Sequence, residues 1–241
     1  MNLEDTITVV RENWERLALA TGDNNPIHFL DGYKRFGLSR PICPGIYLLS
    51  IAEQRARKNG FFTPPIHISA SFNTPVFENQ ILNFEEKSDA ETYLLTYKIN
   101  TGSNLSSIAS FIFNNLSYTS SQPTLDMTTN FSSVITENEL DSFNKNLGVN
   151  ENESIYSTFI IGRILKYFLI NREGALLHNL SFNFFKEVRL GTIDFRIDIT
   201  EKAIPKKNRI NYQYEVHGKV YQNNQVISSG IGKGFLRKII N

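Results

Sequence analysis

The chain has 241 residues, 41% hydrophobic and 20% charged, with a formal net charge of +1 and one cysteine. That is enough for one large domain or two small ones, each with its own core, in an ordinary globular protein. The balance excludes the charge excess of a nucleic-acid binder and a disulfide within the chain, and no apolar run reaches the ~18 residues that cross a bilayer.

Residues 6–21 read as a first helix. Thr8 is its expected N-cap, and Val10, Trp14 and Leu17 recur at helical spacing. The helix is expected to end at Thr21-Gly22 and to deliver the chain into Gly22-Asp23-Asn24-Asn25-Pro26-Ile27-His28. Proline fixes its own φ and pushes Asn25 out of the helical region, so this run is a tight loop. It holds a carboxylate, Asp23, and an imidazole, His28, in fixed relation. Two groups that each give and take a proton, held together, are what adding or removing water requires.

A second loop, Arg40-Pro41-Ile42-Cys43-Pro44-Gly45, feeds another helix through Ile46, Leu48, Leu49, Ala52 and Ala56, which stops at Asn59-Gly60. Its first turns are almost wholly apolar, so it is expected to be buried. The period then changes to two: Ile66, Ile68, Ala70 and Phe72 alternate with His67, Ser69 and Ser71. Strand-like runs follow at Ile81–Lys87, Thr92–Thr101 and Ile108–Asn114. A buried helix followed by antiparallel strands predicts a sheet wrapped around a helix.

Residues 116–133, rich in Ser, Thr and Asn, read as linker. The pattern then restarts. Thr136 and Glu139 form an expected capping box, Ser154 an expected cap of a second apolar helix through Phe159, Ile160 and Leu165, and strand-like runs cover Leu176–Phe185, Gly191–Lys202, Arg209–Tyr221 and Val226–Arg237. Ser71-Phe72-Asn73 recurs as Ser181-Phe182-Asn183, a shift of 182 − 72 = 110 residues, and Ile7-Thr8 recurs as Ile135-Thr136. A repeat of that length is a duplicated domain. The expected division is 1–120, a linker at 121–133, and 134–241, with the two halves packed as a pseudo-dimer, edge to edge or face to face. The stretch matching the Asp23 loop is Gly148-Val149-Asn150-Glu151-Asn152, which lacks both the Asp and the His. One active site per chain follows, with the second half lending packing and a wall for the substrate.

The string Ala20-Thr21-Gly22-Asp23-Asn24-Asn25-Pro26-Ile27-His28 resembles the hydratase motif of the MaoC-like, R-specific enoyl thioester hydratases and dehydratases. Phe36 to Gly45, ending Pro41-Ile42-Cys43-Pro44-Gly45, is similar to the Pro-Ile-x-Pro-Gly segment that follows in that family, and Ser71-Phe72-Asn73-Thr74-Pro75-Val76 to its strand leading into a Pro-Val bulge. The resemblance covers nearly all of the first half, and the second half only in outline. It implies an α+β double hotdog, two antiparallel sheets each wrapped around a central helix. It also implies reversible syn addition of water to a trans-2-enoyl thioester, giving an (R)-3-hydroxyacyl thioester carried by coenzyme A or acyl carrier protein. No cofactor and no metal are implied.

The residues support that reading. The thioester carbonyl gathers negative charge as an enolate forms. Gly45 opens an apolar helix, where unpaired N–H groups and the dipole favour an anion, and one such donor is worth roughly 3 to 4 kcal/mol. Asp23 takes a proton from the attacking water and His28 holds that water and passes a proton at C2. The sequence leaves open which of the two is acid and which is base. Asn25 orients the water or Asp23.

Blander readings stand beside these. Asp23 and Asn25 are common turn residues, Asn25 can close an Asx-turn, and Gly45 can be a plain helix-start glycine. Cys43 reads as a small buried hydrophobe. His67, His178 and His217 lie on strands as structural or exposed residues, without metal-ligand spacing. Arg55, Arg57 and Lys58 suit a helix C-terminus better than a phosphate, and Gly230-Ile231-Gly232-Lys233-Gly234 reads as a final strand rather than a phosphate loop. Glu53 departs from the family pattern. It is the one carboxylate placed for a rival reading, a hotdog thioesterase, and a non-catalytic acyl-thioester binder is the second rival. The expected setting is cytoplasmic, with no nucleic-acid or membrane partner, and the pseudo-dimer stands alone or pairs again as a homodimer.

Overall fold

The structure, a computed structural model, describes residues 6–61, 63–89, 94–101, 108–114, 129–147, 155–169, 173–206 and 209–238. The first half comprises β1 (Thr6–Thr8), α1 (Arg11–Thr21), α2 (Gly45–Lys58), β2 (Ile66–Phe72), β3 (Ile81–Asp89), β4 (Leu94–Thr101) and β5 (Ala109–Asn114). The second comprises β6 (Thr129–Ile135), α3 (Glu137–Leu147), α4 (Ser157–Leu169), β7 (Leu176–Phe184), β8 (Gly191–Lys206), β9 (Arg209–Gln222) and β10 (Gln225–Lys238).

The ten strands among the described residues form one sheet in the order β1-β3-β4-β5-β2-β7-β10-β9-β8-β6. Its left half mirrors its right half element by element, as a duplication requires. The halves join edge to edge through antiparallel β2 and β7, which decides between the two expected packings. Leu180 lies 180 − 70 = 110 residues beyond Ala70, the shift of the sequence repeat, and the two are register partners across this seam. A local two-fold axis therefore passes between them.

The alternation in β2 is obeyed: Ile66, Ile68 and Ala70 are buried while His67, Ser69 and Ser71 are half-buried. α2 is buried from Ile46 through Glu53 and packs on α4 and β5. It is the apolar rod around which the first sheet curls. One continuous core spans both halves, with Trp14, Tyr97, Phe111, Phe113, Tyr156, Phe159 and Phe195 fully enclosed. Burying an aromatic or large aliphatic side chain stabilises by ~1.5–3 kcal/mol, so these rings dominate the folding energy.

Two sequence expectations are corrected. Thr8 is no helix cap: it lies in β1 opposite Ile81, and α1 starts at Arg11 with no side-chain cap. Val9 explains this, because it is fully buried and exchanges backbone hydrogen bonds with Asn79 and Gln80. Residues 129–133 of the expected linker belong to β6. There Phe131 stacks on Tyr167 at 4.2 Å and Ile135 is buried, so tertiary packing overrides a polar composition. Residues 121–128, Ser154 and Gly148 to Asn152 lie outside the described residues. The capping box forms as expected: Thr136 Oγ1 accepts from Glu139 N–H at 3.3 Å, and Glu139 Oε2 accepts from Thr136 N–H at 3.2 Å.

Candidate active site

The Asp23 loop is built by its own backbone chemistry. Gly22 ends α1 in the left-handed region at φ 80°, which favours glycine, and Asp23 N–H reaches back to Ala18 O at 2.7 Å. Asn25, the residue before proline, is extended at φ −60°, ψ 117°. Pro26–His28 then make one 3₁₀ turn. Asp23 Oδ1 accepts Asn25 N–H at 3.0 Å and closes an Asx-turn. Buried Trp14 donates its indole N–H to His28 O at 3.2 Å and pins the far end of the loop.

The loop before α2 lies against this one. Ile42 N–H donates to Ile27 O at 2.9 Å, and His28 Nδ1–H donates to Ile42 O at 2.6 Å. A carbonyl can only accept, so Nδ1 carries a proton in this bond, and Nε2 is the ring nitrogen turned toward Asp23. Nε2 stands 3.6 Å from Asp23 Oδ2, and both side chains are more than nine-tenths buried. That separation is beyond a hydrogen bond, and one small molecule can contact both atoms at once.

Asp23, Asn25, His28 and Gly45 all line one cavity of about 380 Å³. The first half adds apolar walls, among them Ile46, Leu48 and Phe72, and the second adds Leu165, Leu177 and Phe235. Leu176 and Phe235 line it while remaining 39% and 43% exposed, which marks its mouth. Gly45 lies at the N-terminus of α2, which no side chain caps. A Cβ at Gly45 would fall 2.8 Å from the Phe72 ring, so glycine is needed for packing as well as for access.

All four sequence-picked residues thus share one cavity, and the Asn25 amide reaches from it to the second half. Its Nδ2 donates to Ala175 O at 2.8 Å and its Oδ1 accepts Gly174 N–H at 2.9 Å. One donor and one acceptor of the amide tie the loop to the second half, while the Asn25 backbone N–H holds Asp23 Oδ1.

Glu53 is not in the cavity. It is fully buried, takes two hydrogen bonds from Arg57, at 3.1 and 2.8 Å, and accepts Ser157 N–H and Thr158 N–H at 2.8 Å each. It is an anion placed on the N-terminus of α4. Arg57 also lies over Tyr156 at 4.2 Å and Arg55 over Phe84 at 4.3 Å, so both pack against aromatic rings. Cys43 lines the cavity, but burial pushes its thiol well above the usual range, which suppresses the nucleophilic thiolate.

Two lining residues went unrecognised in the sequence. His178 was expected to be structural or exposed; it donates from Nδ1 to Phe72 O at 2.9 Å and lines the cavity. Tyr214 is 2% exposed on β9 and also lines it. Both come from the second half, and only the pairing of distant strands delivers them. A faint signal lay in the alternating glycines of β10. Gly230 is overlain by Phe182 and Gly234 by Tyr214, which shows why that run is a strand and no phosphate loop. Among the described residues, no three His, Cys, Asp or Glu side chains gather to hold a metal ion, and no helix is long and apolar enough to cross a membrane.

No family model matches the chain and no curated protein matches it in sequence. Solved structures do match its fold. A MaoC-like dehydratase superposes at TM-score 0.66 with 11% identity, covering 98% of this chain and 97% of that one. A MaoC-like dehydratase from Phytophthora capsici superposes at 0.58 with 12% identity, covering 99% and 98%. A protein described as an oleoyl thioesterase, from Lactobacillus plantarum, superposes at 0.53 with 8% identity, covering 83% and 91%. The chain has the α+β double-hotdog fold of the MaoC-like dehydratases, over nearly its whole length.

Proposed function

We propose that the chain is an (R)-specific enoyl thioester hydratase, or 3-hydroxyacyl thioester dehydratase, acting on acyl groups carried by coenzyme A or acyl carrier protein. The observation that carries this reading is the 3.6 Å approach of Asp23 Oδ2 to His28 Nε2 inside an apolar-walled cavity that reaches the uncapped start of α2. A water donating one O–H to each acceptor is held beside C3 of an enoyl group. Attack at C3 sends one water proton to the dyad while C2 takes a proton from it, so atoms balance without a cofactor. Delivery of oxygen and hydrogen from one dyad puts both on the same face, which is syn addition. Gly45 N–H stabilises the enolate oxygen, and the helix dipole adds to it. Asn25 supports the dyad by fixing its loop. The apolar walls suit an acyl chain.

The thioesterase reading has a structural neighbour but no residue to carry it through Glu53, whose oxygens are taken by Arg57 and the α4 backbone. The test is a panel of trans-2-enoyl thioesters on both carriers, with enoyl absorbance and free thiol followed together. Hydration removes the enoyl absorbance and frees no thiol. Thiol release turns the reading to a thioesterase, and unchanged absorbance with retained binding turns it to a carrier-bound acyl receptor.

A further inference from the structure

The two strands that meet at the seam are copies of one another, and they differ in kind at one inward position. His178 lies 178 − 68 = 110 residues beyond Ile68, the spacing of the repeat. Ile68 is fully buried opposite Phe182. His178 takes the matching place on β7, in phase with buried Leu180, Phe182 and Phe184, and lines the cavity. A core position of one half is thus an imidazole in the other. A polar ring on such a face costs free energy unless its nitrogens are used. The bond from Nδ1 to Phe72 O, at 2.9 Å across the seam, accounts for one of them. With the proton on Nδ1, the neutral ring presents Nε2 as an acceptor, and that nitrogen has no protein partner among the described residues.

The place of the ring selects the part of the substrate it meets. His178 stands just inside the mouth: Leu176 precedes it on the same strand face, and the Phe235 ring is 6.0 Å away. On its inner side, Phe72 lays its ring against Gly45. The acyl group must reach Asp23 and His28, while the carrier, a nucleotide or a whole protein, stays outside a cavity of about 380 Å³. The arm joining them therefore passes the mouth. In both carriers it runs from the sulfur through a short methylene spacer to an amide. That N–H needs an acceptor once it leaves water, and the Leu176, Leu177 and Phe235 side chains offer none.

We propose that His178 is a binding residue for the carrier arm: its Nε2 accepts the first amide N–H beyond the thioester sulfur. The proposal deepens the hydration reading and rests on its acyl-thioester substrate. It gives the half without the dyad a direct hold on that substrate.

Crotonyl N-acetylcysteamine thioester carries this amide, and S-butyl thiocrotonate is its counterpart without one. His178→Asn keeps an N–H for Phe72 O and withdraws the acceptor at Nε2. His178→Ile, a second variant, copies the matching position of the first half. The ratio of kcat/KM between the amide-bearing and the butyl ester is expected to fall ~3- to 10-fold in each variant, through KM, as loss of one hydrogen bond to bound substrate does. A ratio that stays at the wild-type value overturns the proposal. Binding without turnover completes the test. The preference for butyryl N-acetylcysteamine thioester over S-butyl thiobutyrate, read by calorimetry, is expected to fall by the same factor. An unchanged preference overturns the proposal, whatever the activity. A reduced preference in a protein that hydrates no enoyl thioester upholds the contact and faults the hydration reading instead.

Discussion

The two helix N-termini at the heart of the molecule are equivalent in the fold and opposite in chemistry. α2 begins at Gly45, uncapped and lining the cavity. α4 begins at Ser157, and there Glu53 supplies both carboxylate oxygens to the first two N–H groups. On the proposed reading the first terminus keeps its positive end available for a charge that develops during reaction, and the second is filled by the Glu53 carboxylate. The loops differ to match. Residues 22–44 between α1 and α2 carry the dyad, whereas 148–156 between α3 and α4 form a much shorter stretch with no Asp or His. Duplication supplied two scaffolds, and the connecting loop makes one of them the proposed site.

The strongest way to break this contrast is to disarm the first half. Asp23→Asn and His28→Ala are each expected to lower kcat by ~10²- to 10⁴-fold, as loss of general acid–base groups does. Melting curves are expected to shift only modestly. The contrast is sharpened from the other side by Glu53→Ala. It leaves Arg57 without its carboxylate and α4 without its cap, and loss of one partner of a buried pair costs ~3–5 kcal/mol. Denaturant titration reads that loss. A thioesterase relying on Glu53 would lose thiol release as well.

Gly45→Ala forces its Cβ against the Phe72 ring, at 2.8 Å before relaxation, and overpacking of this kind costs ~1–3 kcal/mol. The matching change at the start of α4, Ser157→Ala, keeps its backbone N–H and is expected to cost less in the same melts. The smallest effect concerns the α3 capping box. Glu139 is held below the usual carboxylate range: burial opposes this, but Arg163 and Thr136 outweigh it. A depressed carboxyl contributes stability above its unfolded pKa and loses it as pH falls through its folded one. Glu139→Gln should therefore cost less than about 1 kcal/mol at neutral pH, and the gap to wild type should close on acidification.

What the sequence showed was local. The Asp-x-Asn-Pro-x-His run, the apolar start of α2, the period-two pattern of β2 and the Thr136–Glu139 box all write their structure within a few residues, and each appears as expected. The 110-residue repeat also showed the duplication, and the Ala70–Leu180 register is its physical trace. What it hid was non-local. The tie of the Asn25 amide to the second half shows only once Gly174 and Ala175 arrive beside it, and His178 and Tyr214 line the cavity only once β7 and β9 are folded over it. β6 was hidden for the same reason: Phe131 has its stacking partner on α4.

The most direct test follows purified wild type and Asp23→Asn side by side on a trans-2-enoyl thioester, recording enoyl absorbance, free thiol and the configuration of the product. The account predicts that wild type consumes the enoyl group, frees no thiol and yields the (R)-3-hydroxyacyl thioester, while Asp23→Asn is nearly inert. Equal rates in the two proteins, or thiol appearing as fast as substrate disappears, would contradict it.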